Sequence, residues 1–447
     1  MKNLDLINEI HFKAEKKHSL LMELEVMNKK LDKIKLNLIQ YKGTYIIKGY
    51  DEIQQVVDEQ IVSTQAMLAS PYMKGQQLLP KCILWEKKLM SLSDILDLMK
   101  KCQRSWIYLE PIFSLEDSLQ TMPKEVKLFK DVNDVWKELM ENANRDPQVI
   151  YLVQRDNLKE TFEKANYKLN EILKEIHQFL NNKRLSFPRF YFLSDDDLLL
   201  IISQTKDPVS IQPHLKKCFE GIEKIAFNET NHALSMISSE NEKIDFIAPI
   251  NVNEGDKKGN PEKWLVEVEK SMFETLENLC KNSVKDYLNI SRAECIKNWP
   301  EQIILTVNQI IRTKETEKVL TENSNQQKQN LIGKINDSIK ELINLVRQKL
   351  SERQRLIIAS LIILEVHSRD ISSNLEQNNV TAITDFHWIS TMRYYIEKDN
   401  KLKIKMVNSV INYGFEYLGN YSILVITPLT DRCYRTLLCA KNRKSVV

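Results

Sequence analysis

Glycine and proline are scarce in this chain, at 9 and 12 of 447 residues. A turn-rich all-β protein needs more of both, so the abundance of Leu, Lys, Glu and Ile points to long helices and a mainly α fold. Cysteine is thin as well. Its seven thiols are odd in number and include no C-x-x-C pair, which excludes a disulfide framework or a zinc module and suits a reducing compartment. A surplus of either charge is missing too. With 64 basic against 61 acidic residues the formal charge is +3, so no global field draws in nucleic acid or an anionic membrane. Long apolar runs are absent. The richest, Leu356 to Leu364, lies between Arg355 and Glu365 and has about half the length a bilayer requires, so it reads as a buried helix. The first residues mix acids and bases without the apolar stretch of a secretory signal.

What is present is apolar residues at 43%, enough for the cores of two or three domains. They recur at helical spacing in three places. One stripe is Leu24, Met27, Leu31, Ile34 and Leu38. A second is Leu158, Phe162, Ala165, Leu169, Ile172, Ile176 and Leu180, and a third is Leu331, Ile335, Ile339, Leu342 and Val346. Each lasts about three heptads before its register breaks, which favours antiparallel bundles over a long coiled coil. Extended structure is predicted for Phe187 to Leu193 and, as a core strand stopped by Pro428, for Ile423 to Thr427. Two short alternating runs around Glu240-Asn241-Glu242 predict a hairpin, residues 251–261 an exposed loop, and the polar run Glu322 to Asn330 a linker or helix start.

Longer motifs carry more. From Trp106 the chain reads WIYLEPIFSLEDSLQTMPKEVKLFKDVNDVWKELM, and from Asn181 NNKRLSFPRFYFLSDDDLLLIISQTKDPVSIQPHLKKCFEGI. Further on come Trp264 with Val268-Glu269, Trp299-Pro300-Glu301-Gln302, Phe386-His387-Trp388 with Met392-Arg393-Tyr394-Tyr395, and Tyr413 to Gly419 leading to Val425-Ile426-Thr427-Pro428-Leu429-Thr430-Asp431-Arg432-Cys433-Tyr434. In this order, from about residue 40 to 438, these blocks resemble the linker of an axonemal dynein heavy chain up to the start of its first AAA+ module. The block Ser203 to Pro208 with Gln212 to Phe219 is closer to axonemal than to cytoplasmic members.

The resemblance implies an elongated rod of helical bundles with a small β-hairpin, ending in a strand that leads into an incomplete AAA+ module. Its parts would be an N-terminal helical portion (1–100), a central portion with the hairpin (101–250), C-terminal helices (251–410) and the truncated module (411–447). It implies a mechanical role in minus-end-directed, ATP-driven movement on microtubules in the cilium axoneme. The AAA+ ring and other axonemal dynein subunits would be partners, with microtubules reached only indirectly. Ile426, Thr427, Pro428 and Leu429 would be adenine-side contacts. ATP and Mg²⁺ serve the full-length family, but no glycine-rich phosphate loop follows within these residues. Phosphoryl transfer needs backbone amides, a Lys and a held Mg²⁺, so the chain is expected to be no enzyme and to hold no cofactor of its own. The competing reading is a free-standing helical scaffold that binds another protein. Two departures from the family stand out: Asn241 replaces the usual turn glycine, which Asn tolerates, and Arg312 replaces a tryptophan, so its charge is expected to reach solvent.

Other constellations have plainer readings. His214 and Cys218 sit one helical turn apart but lack a second ligand pair, so packing is the better account. Asp195-Asp196-Asp197 precede an apolar run and read as a helix start, capped by Ser194 or Asp195, rather than as a calcium loop. Cys102 has no nearby histidine base, and Lys441-Asn442-Arg443-Lys444 reads as a solvated basic tail.

Overall fold

A computed structural model describes residues 2–444 except 74–77, 114–121, 156, 204–207, 288, 323 and 399. The expected motif residues Gln204 to Asp207 and Leu115 to Thr121 lie outside the described residues, as do Ser445 to Val447. The chain is mainly α and forms two compact units, residues 1–182 and 183–447.

The first unit holds helices α1 (Lys2–Asp32), α2 (Tyr50–Leu68), α3 (Leu78–Phe113), α4 (Pro123–Arg145) and most of α5 (Leu158–Ser186). The first predicted stripe proves shorter than its spacing suggested. Leu24, Met27 and Leu31 are buried on α1, but the helix ends at Asp32 and Leu38 lies in a strand. That strand, β1 (Asn37–Tyr41), pairs antiparallel with β2 (Thr44–Lys48) through a turn at Lys42 and Gly43, whose φ values are +42° and +81°. Both turn residues in the left-handed region match the twist of a tight hairpin. Gln103 of α3 then holds this hairpin. Its Oε1 accepts from the Ile47 N–H at 2.8 Å, and its Nε2 donates to the Ile47 carbonyl at 2.9 Å.

The motif aromatics form the centre of this unit. Trp106 of α3 stacks on Trp136 of α4 at 5.8 Å between ring centres, with Tyr41 edge-on to Trp106 and Phe162 of α5 edge-on to Trp136. Trp106 also donates to Asn133 Oδ1 at 3.2 Å. One aromatic ladder thereby ties a hairpin and three helices together. All seven positions of the α5 stripe are buried, as its spacing predicted.

In the second unit, residues 188–192 form a turn of 3₁₀ helix, not the extended segment expected. Pro188 fixes the first φ of that turn, and Phe187 packs edge-on to Phe190 at 5.0 Å. Helix α6 (Asp195–Ser203) follows, with Ser194 Oγ accepting from the Asp197 N–H at 3.2 Å, and then α7 (Gln212–Cys218). Strands β3 (Lys224–Phe227), β4 (His232–Ile237) and β5 (Lys243–Asn251) make an antiparallel sheet. The predicted hairpin is its β4–β5 turn, where Asn241 has φ +60°. Helix α8 (Pro261–Asp286) packs on β5 and on α10 (Glu301–Glu322), with α9 (Arg292–Asn298) between them in sequence.

Helix α10 is buried on every side from Glu301 to Thr313 apart from half-buried Gln309. Around it stand the helical hairpin α11 (Asn325–Val346) and α12 (Glu352–Gln377), and a sheet of β6 (Arg393–Ile396), β7 (Leu402–Met406) and β8 (Ser409–Asn412). Leu356 to Leu364 lies inside α12, with Ile357, Ile358 and Leu361 buried. Arg312 does not reach solvent as expected. It is buried, and its Nε and Nη2 grip Glu365 at 3.0 and 2.9 Å while Arg292 holds the same carboxylate at 2.7 Å. A buried charge survives where its partner and hydrogen bonds are supplied, and Glu315 at 2.6 Å completes the set.

Candidate functional site

Beyond β8 the chain becomes a strap, Tyr413 to Thr427, before helix α13 (Pro428–Lys444). The strap is seated by residues of the Asn181 to Ile222 block, the β4–β5 turn and the Trp-Pro-Glu-Gln block. Arg189, centre of the Phe-Pro-Arg-Phe turn, makes a two-pronged pair with Glu416, Nη1 to Oε1 at 2.7 Å and Nη2 to Oε2 at 2.6 Å. Its Nε donates to Glu269 at 2.7 Å and its guanidinium lies 4.7 Å from the Phe219 ring centre. Planar fork-to-carboxylate geometry is what arginine supplies and lysine cannot.

Gln302, from the Trp-Pro-Glu-Gln block, clamps the next residues. Its Nε2 donates to the Glu416 carbonyl at 2.7 Å and its Oε1 accepts from the Leu418 N–H at 3.0 Å. The Gly221 N–H donates to the Tyr417 carbonyl at 3.1 Å. A Cβ on Gly221 would lie 2.4 Å from the Gly419 nitrogen and 2.5 Å from the Leu418 carbonyl carbon, so only glycine permits this approach. Gly419 itself sits at φ +67°.

Below the strap is a buried acid pair. Glu242, at the end of the β4–β5 turn, accepts from the Tyr417 hydroxyl at 2.8 Å and from the Glu301 N–H at 3.1 Å, with Arg353 3.5 Å away. Asn420 bridges it to Glu301, whose Oε2 it reaches at 2.8 Å. Burial pushes the Glu301 carboxyl up to about 7, helped by the neighbouring Glu242 and opposed by hydrogen bonds from Asn420 and Ser360.

Past Asn420 the seating loosens. The predicted core strand Ile423 to Thr427 is not a strand: it pairs with no other strand among the described residues, and Leu424 and Val425 are 73% and 67% exposed. The reason lies in Thr427-Pro428. Thr427 begins a helix, its Oγ1 accepting from the Thr430 N–H at 3.3 Å and its N–H donating to Thr430 Oγ1 at 2.8 Å, with proline at the first helical position. Of the four sequence-derived adenine-side residues, Ile426, Thr427 and Pro428 line a cavity of about 380 Å³, while Leu429 is 70% exposed and lines neither cavity described here. Ile426 also borders a second cavity of about 460 Å³ between α10, α12, β6 and the strap.

The remaining sequence candidates are structural in their surroundings. His214 and Cys218 are both buried on α7, and burial lowers the imidazole's pKa and pushes the thiol up to about 12. Cys102 is likewise pushed up to about 12 by burial, which suppresses the thiolate a nucleophile needs. Glu301, Gln302 and Glu416 lie inside the motif blocks with no role assigned by sequence, and Asn420 and Arg353 lie outside them. Their signal is polarity inside otherwise apolar blocks, which says that a partner exists but not where.

The second unit thus seats a strap ahead of a partly exposed helix. The chain belongs to the dynein heavy chain family: the model described as dynein heavy chain, N-terminal region 2, matches residues 1–283. That described as the hydrolytic ATP binding site of dynein motor region matches residues 413–446, the strap and α13. Dynein axonemal heavy chain 3 of Homo sapiens is 39% identical over 442 residues, 98% of this chain and 10% of that protein. Dynein axonemal heavy chain 1 of Homo sapiens is 40% identical over 444 residues, 99% of this chain and 10% of the relative. For dynein axonemal heavy chain 12 of Rattus norvegicus the identity is 38% over 429 residues, 96% of this chain and 14% of the relative. The chain thus spans between a tenth and a seventh of the length of these relatives. Among the described residues no helix is long and apolar enough to cross a membrane.

Proposed function

We propose that this chain is the mechanical linker of an axonemal dynein heavy chain, and that the strap passes force between its helices and the first AAA+ module. The observation that carries this reading is the Arg189–Glu416 pair with its Gln302 and Gly221 companions, which fixes the module's opening residues to helices and a turn far away in sequence. A connection that transmits force must be stiff at its anchor, and two-pronged charged bonds beside a backbone-to-backbone contact supply that stiffness. The setting is the cilium axoneme, with the AAA+ ring as partner, other axonemal subunits alongside, and microtubules engaged indirectly. Ile426, Thr427 and Pro428 are offered as the wall on the adenine side. These 447 residues contain no glycine-rich phosphate loop, and by themselves they are proposed not to hydrolyse ATP.

The test is Arg189→Ala in a complete heavy chain. Hydrolysis of ATP should persist while microtubule gliding slows several-fold, because the module still turns over but its pull is cushioned. Unchanged gliding with the same variant would overturn the reading.

A further inference from the structure

The cavity of about 460 Å³ beside the strap has a composition that nothing in the linker reading requires. Four tyrosines contribute to its wall: Tyr394 from β6, Tyr413 and Tyr421 from the strap, and Tyr434 from α13. Burial raises the pKa of Tyr394, Tyr413 and Tyr421, so these phenols stay neutral. Among the described residues Asp431 is the one formally charged member of the wall, and neither Lys nor Arg lines it. Arg435 meets Asp431 at 3.4 Å but lines only the smaller neighbouring cavity. His367 also faces this space, has no hydrogen-bond partner among the described residues, and is held toward its neutral form by burial despite Asp431 and Asp370 nearby.

We infer that this cavity binds a small organic cation of the alkylammonium class. Its volume is in the range that encloses a small ligand. Aromatic rings present negative faces, and a cation among several of them beside a single carboxylate is attracted by both, while among the described residues no Lys or Arg lines the wall to repel it from within. An anion would meet Asp431 in the wall itself, with Arg435 reaching that carboxylate only from the neighbouring cavity. A neutral apolar molecule of the same shape would gain the burial but neither electrostatic contribution. Thr427 and Pro428 line only the smaller cavity, whereas Ile426, His367, Ile371 and Asp431 line both, so the cation site adjoins the adenine-side wall.

The test is calorimetric titration of the 447-residue chain with choline and, separately, with 3,3-dimethyl-1-butanol, its uncharged isostere. Choline should bind saturably and the isostere roughly tenfold more weakly, the scale of one good cation–π contact with its carboxylate. Asp431→Asn should weaken choline several-fold and leave the isostere unchanged. Ser422→Trp, a substitution at an exposed wall position, should block both ligands while thermal unfolding stays cooperative. Equal affinity for choline and its isostere, no saturation with choline, or indifference of choline binding to both variants would each overturn the assignment.

Discussion

At the scale of single residues, Gly221 and Glu301 make opposite demands on the strap. Gly221 is a matter of space. Replacing it with alanine puts a methyl carbon 2.4 Å from backbone, which cannot yield as a side-chain tip would. Gly221→Ala should therefore cost about 2–4 kcal/mol of stability in the second unit, measured by urea unfolding. Equal midpoints for the two proteins would show that the close approach is not needed. Glu301 is a matter of protons. Its folded pKa of about 7 lies above the unfolded value of 4.5, so the folded state binds its proton more tightly. Folding is then favoured at low pH, and stability from this group declines as pH rises from about 4.5 through 7, by about 3 kcal/mol in all. Glu301→Gln removes that decline. The variant should match the wild type near pH 4.5 and exceed it above pH 7.5, and parallel pH profiles would contradict the buried acid pair.

Elements tell how much of this could be read in advance. Helix α5 was legible because seven buried positions at steps of three and four have one geometric solution, whereas the α1 stripe ran past its helix end because Leu38 continues the spacing by coincidence while its neighbours pair as a strand. The β1–β2 hairpin rests on a two-residue turn and on Gln103, 56 positions from the Ile47 backbone it holds. No local pattern announces such a contact. Gln103→Ala should leave both Ile47 backbone groups without their partner and lower the stability of the first unit by about 1–3 kcal/mol. Amide exchange should quicken in β1 and β2 before α3. Exchange unchanged across the hairpin would mean that side-chain packing alone holds it. The same distinction separates the two misread segments of the second unit. Phe187 to Leu193 and Ile423 to Thr427 both have strand-forming residues, but a strand also needs a neighbour, and proline favours a helical start at each, with a capping threonine at the second alone. Of the candidate site, the motif blocks were visible and their meeting was not, since Arg189 and Glu416 are joined only by folding.

For the whole molecule the deciding question is what the chain does with ATP. Nucleotide affinity in this kind of module comes chiefly from neutralising phosphates, through a helix N-terminus wrapped by a glycine-rich loop, a lysine and Mg²⁺. Ile426, Thr427 and Pro428 can face a base, and the cavity they share with Asp370, Asp431 and Arg435 shows no glycine-rich phosphate loop among the described residues. Arg435, which lines the same cavity, already faces Asp431 and rests 5.7 Å from the Phe386 ring centre. A base stacked on such a wall without phosphate contacts is held no tighter than about 1 mM. Titrating the 447-residue chain with ATP and Mg²⁺ should therefore show no saturation below about 0.1 mM. A longer heavy chain that continues into a Gly-Lys-Thr loop should bind in the micromolar range. Adenosine is the discriminating ligand, because it keeps the base and discards the phosphates. If the missing phosphate contacts set the affinity, adenosine and ATP should bind the 447-residue chain equally weakly. A saturable micromolar isotherm for ATP alone would mean that cationic groups elsewhere in the chain complete a phosphate site, and the linker reading would have to give way to a nucleotide-binding one.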